Sequence, residues 1–213
     1  MYKFPIRIPE GWCVILTQGF KSTELSEWYT SKGLNYPEHL AVDIVIGNPN
    51  WQQYATYGAA IVCPVETAEL ISSEPGTDPG SSKGGRFQIK WTENGNEIVM
   101  GGLHCSEVVS GKTVFYKGDE IAYIGNGGYV KPEPNKEDAY AGGHLHLSVS
   151  VREPGKNAVP VDPLLYFNIY EPFRGEDTGF EKDIKPIAWA MVWSADKVAS
   201  IIEMFRKALN KQL

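Results

Sequence analysis

Apolar and polar residues alternate in short runs along most of this chain, and glycine, proline and asparagine break the runs at close intervals. Alternation with a period of two puts successive side chains on opposite faces of a strand, so the pattern predicts many short strands. Strand-like runs fill residues 1–20, interrupted around Pro5, Pro9 and Gly11. The β-branched run Leu40–Ile46 follows, then Ala60–Val65 and Thr67–Ser72. Arg86–Thr92 and Glu97–His104 flank Glu93-Asn94-Gly95-Asn96, where Asn-Gly predicts a hairpin turn because both residues tolerate positive φ. Glu120–Ile124 and Leu145–Val151 complete the strands. Residues 21–38, 47–57, 74–85 and 125–143 are polar or rich in glycine and proline and read as loops, with room for a helical turn in the first.

After Pro163 the pattern changes. Val198, Ile201, Ile202, Phe205 and Leu209 recur at helical spacing behind Ser194, a residue suited to an N-cap. An amphipathic helix through Lys211 is expected, docked on the β-body. The reading is a mainly β fold, an antiparallel sheet with long loops and a C-terminal α-helix, divided into a domain over 1–167 and an extension over 168–213.

Composition agrees with this. The chain has 213 residues, 42% hydrophobic and 22% charged, enough to bury a core without disulfides. Its 22 glycines, 14 prolines and 12% aromatics suit turns and strands. A formal net charge of −6 and the lack of any Lys/Arg-rich run argue against a nucleic-acid partner. Cys13, Cys63 and Cys105 form no C-x-x-C pair and are expected as reduced, packed thiols. No window reaches the about 18 apolar residues of a membrane span. The first residues lack the apolar stretch of a signal peptide.

The candidate chemistry lies in the four histidines, His39, His104, His144 and His146, and in Asp43. His144 and His146 are two apart in a strand-like run and project to one side. His39 and Asp43 share a face if their segment is extended. Flanked by Val42 and Ile44, Asp43 would be a buried carboxylate in need of a partner. Zinc takes imidazole nitrogen and carboxylate oxygen, and catalytic sites use three protein ligands and leave a position open. Two histidines and an aspartate from two strands meet that need, and another histidine on the same face has the proton affinity of a general base. Cys105, next to His104, is expected to point to the opposite face, into the core.

These residues carry a resemblance. His39-Leu-Ala-Val-Asp43 resembles the H-x-x-x-D motif of the M23 peptidases, the lysostaphin and LytM family, and Gly143-His144-Leu145-His146 resembles their H-x-H motif. Gly102-Leu103-His104 matches the segment that supplies the family's third active-site histidine. Gly58–Val65, Lys117–Gly127 and Val161–Leu165 resemble the framing segments, in the same order, over roughly residues 12–167. The resemblance implies the lysostaphin-type fold, a β-sheet and barrel-sandwich hybrid. It implies one Zn2+ per chain held by His39, Asp43 and His146, with His144 as general base and His104 hydrogen-bonding the water or the developing oxyanion.

It further implies a zinc endopeptidase that cuts peptide bonds in bacterial peptidoglycan, with peptidoglycan peptides as partners and action at the cell wall. A monomer is expected. Delivery would be by phage-type lysis or from a virion, or with a signal already removed. The alternative is a non-catalytic relative that binds the wall or regulates.

Overall fold

The computed structural model describes residues 1–48, 53–54, 56–76 and 84–174. Among these about half of the residues are in strands: β1 (Tyr2–Ile8), β2 (Cys13–Gln18), β3 (Val42–Asn48), β4 (Gln53–Tyr54), β5 (Ala60–Val62), β6 (Thr67–Glu74), β7 (Gly85–Glu93), β8 (Asn96–Val108), β9 (Val114–Tyr116), β10 (Glu120–Ile124), β11 (Leu145–Arg152), β12 (Val159–Val161) and β13 (Phe167–Arg174). One short helix, α1 (Ser26–Ser31), interrupts the loop before β3, and a 3-10 turn covers Pro163–Leu165. The expected mainly β class holds. The expected helix over 194–211 lies outside the described residues.

The alternating sequence becomes alternating burial. Along β7, Phe87, Ile89 and Trp91 are buried while Arg86 and Gln88 are exposed. The turn to β8 is the hairpin that Asn94-Gly95 predicts, with φ of 51° and 81°; two positive φ values match the right-handed twist of the flanking strands. The main sheet runs β13-β1-β5-β10-β8-β11-β3-β2 and curls into a nearly closed barrel around one apolar cluster that includes Phe4, Ile44, Phe87, Met100 and Leu147. β8, the longest strand, pairs with β7 and β11 along its first part and with β10 at its end.

All pairings are antiparallel except β1 with β13. These strands lie at opposite ends of the described chain, so no short hairpin dictates their direction. β13 adds Phe167–Arg174 to the sheet. Arg174 donates to the carbonyls of Pro9 and Trp12, drawing the end of β13 toward the start of β2.

The cysteines are free thiols. Burial pushes Cys63 up to about 11 and Cys105 up to about 12, so both stay protonated and inert at ordinary pH.

The loop over 125–143 is less superficial than its composition suggests. Its two ends are buried, and Asn126 donates through Nδ2 to the carbonyls of Ala139 and Ala141, tying them together. That closure brings the stretch after β10 beside the stretch that leads into β11.

Candidate metal centre

β3 lies between β2 and β11, so both of its edges are paired. Ile44 and Ile46 turn into the core, and Asp43 turns to the other side. Register then decides its company. Asp43 pairs with Gln18 of β2 and with His146 of β11, and His146 pairs in turn with Leu103 of β8. Directly paired residues share a face in an antiparallel sheet. Gln18, Asp43, His146 and Leu103 therefore form a row across four strands.

His39 does not belong to β3, which begins at Val42. It sits in the preceding loop, pinned on both backbone sides: its N–H donates to Ser22 O, and its carbonyl accepts from Lys21 N. Its side chain still returns to Asp43, with Nε2 at 3.2 Å from Oδ1. His146 Nδ1 lies 3.0 Å from the same oxygen and 3.1 Å from His39 Nε2. These three donor atoms form a nearly equilateral triangle among residues that are buried or half-buried.

Three observations test whether a metal ion fits. Metal–ligand bonds of about 2.0–2.1 Å at tetrahedral angles separate neighbouring ligand atoms by roughly 3.3–3.4 Å, close to the 3.0–3.2 Å edges of this triangle. Two imidazole nitrogens and a carboxylate oxygen are a donor set for zinc and similar divalent ions. The Gln18 side-chain oxygen, beside Asp43 in the row, is buried and has no hydrogen-bond partner. The residues fit a metal ion.

Three of the four rings are oriented from behind. His39 Nδ1 faces the Gly19 carbonyl at 3.2 Å, His144 Nδ1 the Gly142 carbonyl at 2.7 Å, and His104 Nδ1 the Gly127 carbonyl at 2.7 Å. A nitrogen this near a carbonyl oxygen carries the proton, so in the neutral ring Nε2 holds the lone pair. Backbone acceptors of this kind fix the tautomer of a site histidine.

His144 precedes β11, two residues before His146 on the same face, and its Nε2 is 3.7 Å from Asp43 Oδ2. His104 reaches the site through an irregularity. β8 takes three steps from Gly102 to Cys105 while β7 takes two from Phe87 to Gly85, so β8 bulges, and His104 has φ of 64°. Under simple alternation His104 would follow Met100 and Gly102 into the core. The bulge instead stacks its ring near His144, with centroids 4.7 Å apart, and 5.9 Å from His146. Cys105 then takes the inward position and is buried, as the sequence suggests.

The electrostatics follow from this crowding. Burial alone would raise the Asp43 carboxyl, but the charge of His144 and hydrogen bonds from His146 and His39 overturn it and hold the group well below the usual carboxylate range. Burial would lower His39; its hydrogen bond to Asp43 and that residue's charge outweigh it and hold His39 above its ordinary value. For His104 the upward pulls of the Gly127 carbonyl and the Asp43 charge are outweighed. Burial, reinforced by the charge of His144, lowers it to about 3. His104 is thus neutral across ordinary pH and presents an acceptor at Nε2. Accepting a hydrogen bond suits that state, whereas donating to an oxyanion calls for a second proton on a ring that burial keeps neutral.

All five expected residues come together. Others were not legible in the sequence: Gln18, whose place depends on register, and Tyr29 of α1. The Tyr29 phenol is pushed up to about 12, by burial first and by the Asp43 charge second. Its ring packs against Trp28 and Tyr36, and Lys32, one turn on, pairs with Glu133 of the 125–143 loop. Tyr140 packs on Tyr57, and the Tyr123 hydroxyl donates to the Glu120 carboxylate. Glu137 and Asp138 turn their backbone N–H groups onto the Asn135 side chain.

No family model matches this chain, and no curated protein does. Among solved structures the chain is similar to Csd3 from Helicobacter pylori, at 16% identity and a TM-score of 0.41. The alignment covers 100% of this chain and 43% of that one, so this chain spans less than half the length of that neighbour.

Proposed function

We propose that this protein is a metal-dependent peptidase, that its ion is zinc, and that it hydrolyses peptide bonds in peptidoglycan. The observation that carries the first part is the triangle of His39 Nε2, Asp43 Oδ1 and His146 Nδ1, with the rings of His144 and His104 beside it. The motif resemblance supplies the substrate class.

His39, Asp43 and His146 would hold the ion, which when bound supplies Lewis acidity: it lowers the pKa of water and polarises a carbonyl. The other residues provide what the ion does not. His144 keeps its proton on Nδ1 against Gly142 O and turns a free Nε2 toward the site, so it can take a proton from the attacking water and return it to the departing amine. His104, neutral and tethered to Gly127 O, holds a second acceptor beside it and orients the water. Asp43 stays ionised throughout, since three imidazoles face it.

The test is digestion of purified peptidoglycan from several bacteria, with mass spectrometry of the released peptides, before and after chelation and zinc repletion. New amine and carboxyl ends that vanish on chelation and return with zinc support the reading. Intact wall after zinc is confirmed bound refutes it. We propose that it acts at the bacterial cell wall, as a monomer.

A further inference from the structure

Two loops rise from the candidate metal centre, and each is closed at its base. Residues 22–39 form the first. The His39 N–H donates to Ser22 O and the His39 carbonyl accepts from Lys21 N, so the base is the metal-facing residue itself. Residues 127–142 form the second. Asn126 ties its base through the carbonyls of Ala139 and Ala141, and its end carbonyls, Gly127 and Gly142, hold the rings of His104 and His144. The first loop joins β2 to β3 and the second joins β10 to β11. The strand order β10-β8-β11-β3-β2 makes β11 and β3 neighbours, so the paired residues His146 and Asp43 lie where the two bases meet.

The loops meet again away from the sheet. Lys32, just past the end of α1, donates through Nζ to Glu133 Oε1 of the second loop. Loops joined at base and tip enclose the space between them. The side chains of His144 and His146 are only 12% and 18% exposed, and that of Asp43 9%. The Tyr29 phenol, raised by burial first, is raised second by the Asp43 charge, so α1 stands within electrostatic reach of the site.

The two sides of this contact differ in stiffness. Glu133 stands between Pro132 and Pro134, whose rings fix φ, and the Asn135 side chain accepts from the N–H groups of Glu137 and Asp138. α1 has no buried residue. Trp28, Tyr29 and Tyr36 pack on one another, and Lys32 Nζ lies 5.7 Å from the centre of the Trp28 ring. An element with few buried contacts opens locally at little cost. The ion pair that joins it to the second loop is itself exposed, so it holds weakly.

We propose that α1 is a gate over the candidate metal centre and that the Lys32–Glu133 pair is its clasp. The clasp is shut in this structure. When it parts, α1 lifts from the stiffer second loop, while the hydrogen bonds at the first loop's base keep His39 in place. Lids of this kind admit a substrate and then exclude water. The gate regulates the same site on which the peptidase reading rests. Its test reads access to the rings and not turnover, so the gate and the peptidase reading can fail separately.

The experiment is acylation of the metal-free full chain by diethyl pyrocarbonate, with the rates at His144 and His146 read by mass spectrometry against free Nα-acetylhistidine in the same solution. Glu133→Gln and Lys32→Gln are each expected to raise both rates by about two- to five-fold, the range of an exposed ion pair. The double variant should be no faster than the faster single one, because both substitutions break one contact. In the wild type, raising the ionic strength from about 0.01 M to about 1 M shortens the screening length from about 30 Å to about 3 Å and should accelerate the reaction likewise; Glu133→Gln should not respond. Hydrogen exchange separates a lifted gate from a loosened fold: amides over 25–34 should exchange faster in the variants, and those of β3 and β11 should not. Unchanged acylation in both single variants, additive effects in the double variant, or faster exchange spread through β3 and β11 overturns the proposal.

Discussion

The rings of His104 and His144 lie 4.7 Å apart, each with Nδ1 held at 2.7 Å by a backbone carbonyl, that of Gly127 for one and Gly142 for the other. Both carbonyls belong to the loop over 125–143, one near each of its ends. A single closed loop therefore sets the tautomer of both rings and turns two lone pairs toward the same space, beside the triangle of His39, Asp43 and His146.

Ligand and base should separate on substitution. His146→Ala or His39→Ala removes one corner of the triangle and is expected to lose stoichiometric metal and activity together. His144→Ala should keep the metal and lose activity by about 10²–10⁴-fold, the usual worth of a general base. Metal analysis beside a cleavage assay checks this; loss of metal from His144→Ala contradicts the division.

The backbone at His104 imposes its own constraint. Its φ of 64° is a left-handed conformation that asparagine tolerates and β-branched residues do not. An asparagine amide also has a donor where His104 has Nδ1–H. His104→Asn should fold with near-normal stability and lose activity. His104→Val should lose activity and also destabilise by about 1–3 kcal/mol, the cost of a strained backbone position. Denaturant unfolding of both variants tests the difference.

His104 also gives a pH signature in the metal-free protein. Its pKa is lowered, from about 6.5 in the unfolded chain to about 3 in the fold. Between those values the unfolded state binds more protons, so stability rises with pH and is lost as pH falls through this window. Asp43, also lowered, adds a loss that begins only near its unfolded value of about 3.9. His39 is raised and acts oppositely: its contribution is full below about 6.5 and fades above it. Comparison with His104→Asn isolates the first effect. The wild type should lose stability relative to the variant on going from neutral pH to about 4; parallel curves would argue against a neutral, buried His104.

Gly142 is a further weak point. Its φ is 72°, and a Cβ there would stand 2.3 Å from the Pro132 carbonyl oxygen and 2.7 Å from a Val130 methyl. Backbone cannot yield as a flexible side chain can. Gly142→Ala should destabilise by about 1–3 kcal/mol and loosen the carbonyl that holds His144. The expected result is a lower unfolding midpoint and a reduced turnover with metal retained.

The sequence by itself indicated the strand-rich class, the Asn94-Gly95 hairpin and the five residues that the fold brings together. These depend on local rules: alternation of faces, tolerance of positive φ, and the preference of metals for imidazole and carboxylate donors. It placed His39 and Asp43 on one extended face, whereas His39 acts from a loop pinned by Ser22 and Lys21. It gave no sign of the bulge that takes His104 out of the core. Nor did it show that Gln18 stands beside Asp43 or that β13 pairs with β1. Those outcomes depend on register and on parallel pairing between distant segments, which no window of sequence contains. A one-residue slip reverses every side chain on a strand, so only the assembled sheet decides which residues meet at the candidate metal centre.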